Sequence, residues 1–369
     1  MQTARASVTP GRAKAADSVW HNIWLPYLAT LGIDDPYLRH VPDPVPFLQV
    51  LAERIRDGRC SRSGKSVKAA HVRDELLAVA KAFTTLGYPD PRHTRTGDMD
   101  PRLAALFKGM SNADPAPVRV KPMPIQVLHH AQATVQLAPT DLLRCIMDMA
   151  WIAFFYLLRP GEYCKSPENT PLALKDVSCS IGFRKLDILH CPHQELDRAT
   201  QSSLTFDDQK NRERGETVAH TRSGHTIACP TRALVRRIKY LRLAGAGPDT
   251  YLCAVRPGLR WISVTSKSVS SLLKTSAAAL PNLNYGPADV EARSLRAGGA
   301  MALLCGKVDR DTIRLVGRWK SDAMFRYLHA QALPLIRDLA STMLQHGSFY
   351  LAPGADVPAP AAPLFAAQE

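Results

Sequence analysis

The chain has 369 residues, 46% of them hydrophobic and 22% charged. That balance excludes wholesale disorder, and the length suffices for two domains. Lys and Arg number 47 against 33 Asp and Glu, a formal net charge of +14. A surplus of that size repels itself unless a polyanion neutralises it, so nucleic acid is the first partner to consider. The cysteines are scattered without a Cys-x-x-Cys pair, the pattern of reduced intracellular thiols. His190-Cys191-Pro192-His193 has no matching second pair, so no metal site is expected. The longest apolar run, Met149 to Leu158, is about half a membrane span, so no membrane partner is expected either.

Residues 1–15 carry Arg5, Arg12 and Lys14 without an acid and read as a disordered basic arm, with an organelle transit peptide as the alternative. From 16 to 112 the periodicity is helical throughout. Trp20, Ile23, Trp24, Tyr27, Leu28 and Leu31 share a face up to Gly32; a second helix follows Pro44 and ends at Gly58. A third runs from about Val67 to Leu86, and a fourth from Pro101 to Met110. Residues 113–123 are Pro-rich and read as an extended basic linker, with Arg119 and Lys121 between the prolines as candidate DNA contacts.

From 124 to 347 the texture changes. Helices are predicted at 124–137 and 140–158, the second apolar enough to be buried. Short β-prone runs follow at Leu172–Ile181, Lys185–His190, Ser203–Asp208 and Thr217–His220, the last two joined by a polar turn around Lys210. Helices resume at 231–243, 267–279, 294–305, 309–316, 322–330 and 333–345. The expected class is mainly α with a small antiparallel sheet: an α+β domain behind an all-α one. Residues 348–369 read as an Ala/Pro-rich disordered tail.

Taken singly, the polar residues of this second domain are unremarkable. Arg159 ends a buried helix, where the dipole favours a cation. Lys210 suits a solvated turn. Arg293 and Arg296 open a helix, where positive charge is unfavourable without a nearby anion. Trp319 and Tyr327 would serve as core aromatics. Arg212, Arg214, Arg222, Arg232, Arg236, Arg237 and Lys239 form a basic stretch with few local acids, suited to phosphate contacts.

In series, these residues resemble the tyrosine recombinase (phage integrase) family. Its first catalytic arginine matches Arg159, with the family's acidic residue at Glu162. The hairpin lysine matches Lys210, and the His-x-x-Arg box matches Arg293-Ser294-Leu295-Arg296. The later His-or-Trp position matches Trp319 and the nucleophile Tyr327. The resemblance covers about Pro124 to Gln345. Residues 16–112 are similar to the family's helical core-binding domain, though with far less diagnostic sequence. The boxes Arg296-Ala297-Gly298-Gly299-Ala300 and Gly317-Arg318-Trp319-Lys320-Ser321-Asp322-Ala323 further resemble recombinases of eukaryotic mobile elements, crypton-type and retroelement-encoded. Two departures stand out. Arg293 occupies the usual His position, and Trp319 to Tyr327 is one residue shorter than the commonest spacing.

The resemblance implies a two-domain, C-shaped clamp on double-stranded DNA. It implies a site-specific recombinase or integrase that cuts and rejoins DNA through a 3′-phosphotyrosine, needing neither metal nor ATP. Tyr327 would be the nucleophile, Lys210 the general acid, Arg159, Arg293 and Arg296 the phosphate ligands, and Trp319 a packing group against the phosphate. Glu162 would orient Arg159 or the hairpin. The final helix, with Leu335, Ile336, Leu339 and Met343 on one face, would be donated to a neighbouring protomer in a DNA-bound tetramer. The location would be nuclear in a eukaryote and cytoplasmic otherwise. Two alternatives remain open: a decayed, domesticated DNA-binding protein, and a type IB topoisomerase-like enzyme.

Overall fold

A computed structural model describes residues 16–61, 63–115, 121–167, 169–206, 215–283 and 285–320. Arg119, Lys210, Arg212, Arg214, Tyr327, the basic arm, the last two predicted helices and the tail lie outside the described residues. The chain divides into two compact units, Met1–Val118 and Arg119–Glu369.

The first unit is all-helical, as its periodicity predicts. Helix α1 (16–29) passes through a π-helical turn at Trp20–Trp24; α2 (Val45–Arg56), α3 (Ala69–Thr85) and α4 (Pro101–Asn112) follow. Trp24, Leu48, Leu51, Leu76, Leu103 and Phe107 are buried together because each falls on the inward stripe of its helix. Asp100 caps α4 by accepting from the Arg102 N–H, with Pro101 at the first helical position.

The second unit is built on α5 (Ile125–Leu137) and α6 (Asp141–Phe155). Thr140 starts α6 by accepting from Leu143 N–H at 3.2 Å, and nearly every residue from Cys145 to Phe154 is buried. The helix predicted to 158 stops earlier. Leu157 adopts φ 49°, and Leu158 N–H reaches back to the Ala153 carbonyl, the hydrogen-bond pattern of a left-handed helix stop. A one-turn helix, α7 (Pro160–Tyr163), begins at Arg159.

A four-stranded antiparallel sheet follows, formed by β1 (Val177–Ile181), β2 (Arg184–Lys185), β3 (Gln201–Phe206) and β4 (Glu216–Thr221) in the order β2-β1-β3-β4. The β3–β4 hairpin pairs Phe206 with Glu216, so residues 207–214, including Lys210, join those two strands. The strand predicted at Lys185–His190 is cut to its first residue. Asp187 accepts from the N–H groups of Leu189 and His190 and turns the chain there. A short helix, α8 (His193–Asp197), and a small hairpin, β5 (Ala254–Val255) with β6 (Ile262–Ser263), were not anticipated; both are too short to show periodicity. Helices α9 (Pro230–Leu243), α10 (Ser266–Ala278), α11 (Ser294–Cys305) and α12 (Arg310–Gly317) complete the described unit close to their expected bounds. The class is therefore mainly α with a small antiparallel sheet. No described helix is long and apolar enough to cross a membrane.

Lys121 to Met123, expected as the end of an extended linker, packs within the second unit. Lys121 pairs with Asp289 at 2.9 Å, Met123 is buried, and its N–H donates to the Ser294 carbonyl. Two glycines of α11 permit close backbone approach. A Cβ on Gly298 would lie 2.5 Å from the Met123 carbonyl oxygen, and one on Gly299 would lie 2.2 Å from that of Phe154. Both obstacles are backbone and cannot swing away. Gly299→Ala should therefore cost about 1–3 kcal/mol of stability through overpacking. The measurement is chemical denaturation of the full chain, with Gly109→Ala, at a helical position open to solvent, as the tolerated control.

Candidate active site

Among the described residues, those flagged by sequence as catalytic or supporting lie on three segments far apart in the chain: the α6–α7 junction, the start of α11 and the end of α12. Arg296 joins them. Its guanidinium is buried, donating from Nη1 to the Leu157 carbonyl and from Nη2 to the Gly317 carbonyl, with Trp319 stacked 4.2 Å from its centre. Both carbonyls lie at helix C-termini, where unsatisfied acceptors and the macrodipole favour a cation. Trp319 is itself buried, in a small cluster with Leu157, Ala300, Met301 and Ile313. Its ring fills the space over Gly317, where a Cβ would fall 1.6 Å from a ring carbon.

Arg159 caps α7. Its N–H donates to Glu162 Oε2 at 2.7 Å, and its Nη1 reaches Glu162 Oε1 at 3.0 Å. One quarter of its side chain remains exposed. Behind it, Tyr163 is fully buried and donates to the Ala292 carbonyl at 2.9 Å, tying α7 to the entry of α11. Tyr156 donates to the Ser202 carbonyl, while its oxygen also lies 2.7 Å from Ser202 Oγ, which donates on to Thr231 Oγ1. Through this chain the end of α6 is locked to β3 and to the start of α9. Burial pushes the Tyr156 hydroxyl pKa far above its ordinary value, so it remains a donor. Burial likewise lowers the pKa of His220, whose ring meets Tyr156 edge-on at 4.7 Å.

Glu162 is where the sequence expectation becomes concrete, and where it missed a partner. The same carboxylate accepts from Arg318 Nη2 at 2.7 Å. Arg318 is buried, packs on the Phe206 ring at 3.5 Å and adopts the left-handed conformation (φ 56°, ψ 46°) at the end of α12. Burial pulls its guanidinium pKa down, with Glu162 opposing that shift. The sequence signal was present, a charged residue between Gly317 and Trp319. Within that box the family resemblance assigns a role in the site to the tryptophan alone.

Arg293 stands at the N-cap of α11, half-exposed, with its Nε 2.5 Å from Glu291 Oε2. The anion its helix position called for is thus supplied by a neighbouring residue. The predicted basic stretch needs correction. Arg237 is 2% exposed and donates to the carbonyls of Leu252 and Ala254, so it cannot meet a phosphate. Arg222 donates to the carbonyls of Asp197 and Ala199. Arg236 pairs with buried Asp148 at 2.6 Å, and Lys239 with Asp197 at 2.7 Å. The compensating acids come from α6 and α8, far away in sequence, which is why the stretch looked uncompensated. Arg232 is exposed at the start of α9.

Arg296→Met should leave two helix-end carbonyls short of a donor, at about 1–3 kcal/mol each. A large fall in denaturation midpoint is therefore expected without any DNA present. An unchanged midpoint would mean that Arg296 does not hold these turns together.

No family model matches the sequence, and no curated protein matches it either. Among solved structures the chain is similar to the Tn1549 transposon integrase in complex with transposon right end DNA, at 12% identity over 83% of this chain and 86% of that one, with a TM-score of 0.47. It is similar also to the XerA recombinase, at 12% identity over 91% and 93% with a TM-score of 0.39. A third is a lambda integrase tetramer bound to a Holliday junction, at 13% identity over 83% and 76% with a TM-score of 0.38. These structural neighbours are tyrosine recombinases.

Proposed function

We propose that the chain is a site-specific DNA recombinase of the tyrosine type. The observation that carries this reading is the convergence of Arg159, Glu162, Arg296 and Trp319 from three distant segments onto one place. The sequence resemblance names the same four residues. Reversible cleavage of a phosphodiester without an external energy source needs a nucleophile that keeps the phosphate as a covalent ester, and a tyrosine hydroxyl does so. In this reading Tyr327 Oη bonds to phosphorus, the P–O5′ bond breaks, and Lys210 supplies the proton to the leaving oxygen. Planar guanidinium forks stabilise the charge that develops on the phosphate oxygens. Arg159 takes that role; Arg296, as buried as Arg237 and with both Nη atoms on backbone carbonyls, serves it by tying the helix ends that present Arg159. Trp319 packs against the phosphate. The partner would be duplex DNA, and residues 333–345, predicted from sequence as a helix, would link protomers in a tetramer. The crypton-type subgroup rests on two sequence boxes alone.

A nicked suicide duplex tests the reading and separates it from a decayed DNA-binding protein. The wild-type chain should form a covalent adduct. Tyr327→Phe should abolish that adduct with DNA affinity nearly unchanged, since one hydroxyl is lost. An adduct that survives in Tyr327→Phe and disappears in Tyr350→Phe would show the assignment to be wrong. Relaxation of supercoiled DNA lacking any specific site would favour the topoisomerase reading.

Arg293 in the usual His position gives a second test. An arginine stays protonated at any accessible pH and cannot accept the proton from Tyr327. The guanidinium of Arg293 is paired with Glu291 at 2.5 Å, so its charge does little for a hydroxyl whose ordinary pKa is about 10. The cleavage rate should therefore show no inflection near the ordinary histidine pKa of about 6.5 and should rise toward alkaline pH. Arg293→His should introduce a neutral-range ionisation. A wild-type inflection that persists in Arg293→Ala would mean that another base serves the tyrosine.

A further inference from the structure

The carboxylate of Glu162 is shared by two guanidiniums of unequal exposure. Arg159 keeps a quarter of its side chain in solvent, whereas the side chain of Arg318 is 1% exposed. Arg318 is held in place from several sides at once. The backbone hydrogen bonds that end α12 impose its left-handed conformation, one that a residue with a Cβ adopts at a cost: Arg318 N–H reaches Leu315 O, and Trp319 N–H reaches Arg314 O. Phe206 supports the face of its guanidinium at 3.5 Å. Nη2 alone meets Glu162, while Nε and Nη1 are buried without a hydrogen-bond partner among the described residues. Glu216 on β4 adds a weaker negative field. A buried arginine with two unanswered donors is a poor device for stability, because both the charge and the N–H groups lose water without full replacement.

We propose that Arg318 is a positioning residue that holds the Glu162 carboxylate away from fully neutralising Arg159, so that Arg159 keeps positive charge for an incoming phosphate oxygen. The inference rests on the phosphoryl-transfer reading of this site and adds Arg318 to it. The physics is simple competition. A carboxylate bonded to one guanidinium cancels it almost completely at close range. A carboxylate drawn also toward a second, more buried guanidinium leaves the exposed one as the net cation of the trio. Arg318 itself touches no substrate. It acts through Glu162, and through the turn that delivers Trp319 over Arg296.

A purely structural role and charge sharing predict opposite outcomes for a double variant. In Arg318→Met, Glu162 falls to Arg159 alone. Adduct formation on the nicked suicide duplex should slow on the order of tenfold or more, the scale of one charge-assisted hydrogen bond. Adding Glu162→Gln removes the competing carboxylate and should recover most of that loss. Arg318→Lys, which keeps the charge without the planar fork, should lie near wild type. A second readout needs no catalysis. The rise in melting temperature of the full chain with orthophosphate, less that of Arg159→Ala, should vanish in Arg318→Met and return in Arg318→Met/Glu162→Gln. Should Arg318→Met fail to fold, Arg318→Gln takes its place, since Gln still donates to Glu162 without the charge.

The proposal is overturned if a folded Arg318→Met or Arg318→Gln behaves like wild type in both assays. It is overturned equally if the double variant is no better than the single one, or if wild type and Arg159→Ala respond alike to orthophosphate. A wild-type chain that forms no adduct on DNA, yet follows the orthophosphate pattern, would refute the recombinase reading and leave charge sharing standing.

Discussion

One guanidinium organises the second unit. Arg296 bonds the carbonyl ends of α6 and α12 at once, and each of those helices stops in a left-handed residue, Leu157 and Arg318. A residue with a Cβ held at positive φ is costly, and it persists only where the surroundings over-determine it. Here the surroundings are a buried cation placed at two negative helix ends, where its charge is answered by aligned peptide dipoles. Arg159 emerges two residues past one stop and Trp319 one residue past the other. The placement of both follows from this single side chain.

Packing extends the arrangement outward. Gly298 and Gly299 bring α11 against Met123 and the end of α6, which sets the depth at which Arg296 sits. Tyr163 fixes the entry of α11 against α7, and Tyr156 fixes the end of α6 against β3. The hairpin that carries Lys210 in its connection is thereby anchored, through Ser202, to the same helix end that presents Arg159. Sheet and helices form one frame around a small polar centre, with the large apolar core behind it.

What was legible in the sequence follows the range of the forces involved. Helices longer than about two turns show their apolar stripe, so α2 to α6 and α9 to α12 lie close to their expected bounds. Elements of two to five residues show none, so α7, α8 and the β5–β6 hairpin were missed or misjudged. Arg159, Glu162, Arg296 and Trp319 could be singled out because each stands in a short box that the family resemblance supplies. Charge was the least legible property. The acids facing Arg236 and Lys239 come from α6 and α8, and Arg237 points into the core. Arg318 was overlooked because its meaning lies in Glu162, which no local pattern connects to it.

The contact between Gly317 and Trp319 has an evolutionary consequence. The indole occupies the volume in which any other residue at position 317 would place its Cβ. The two positions are therefore coupled: a side chain at 317 requires the indole at 319 to move or to be replaced by something smaller.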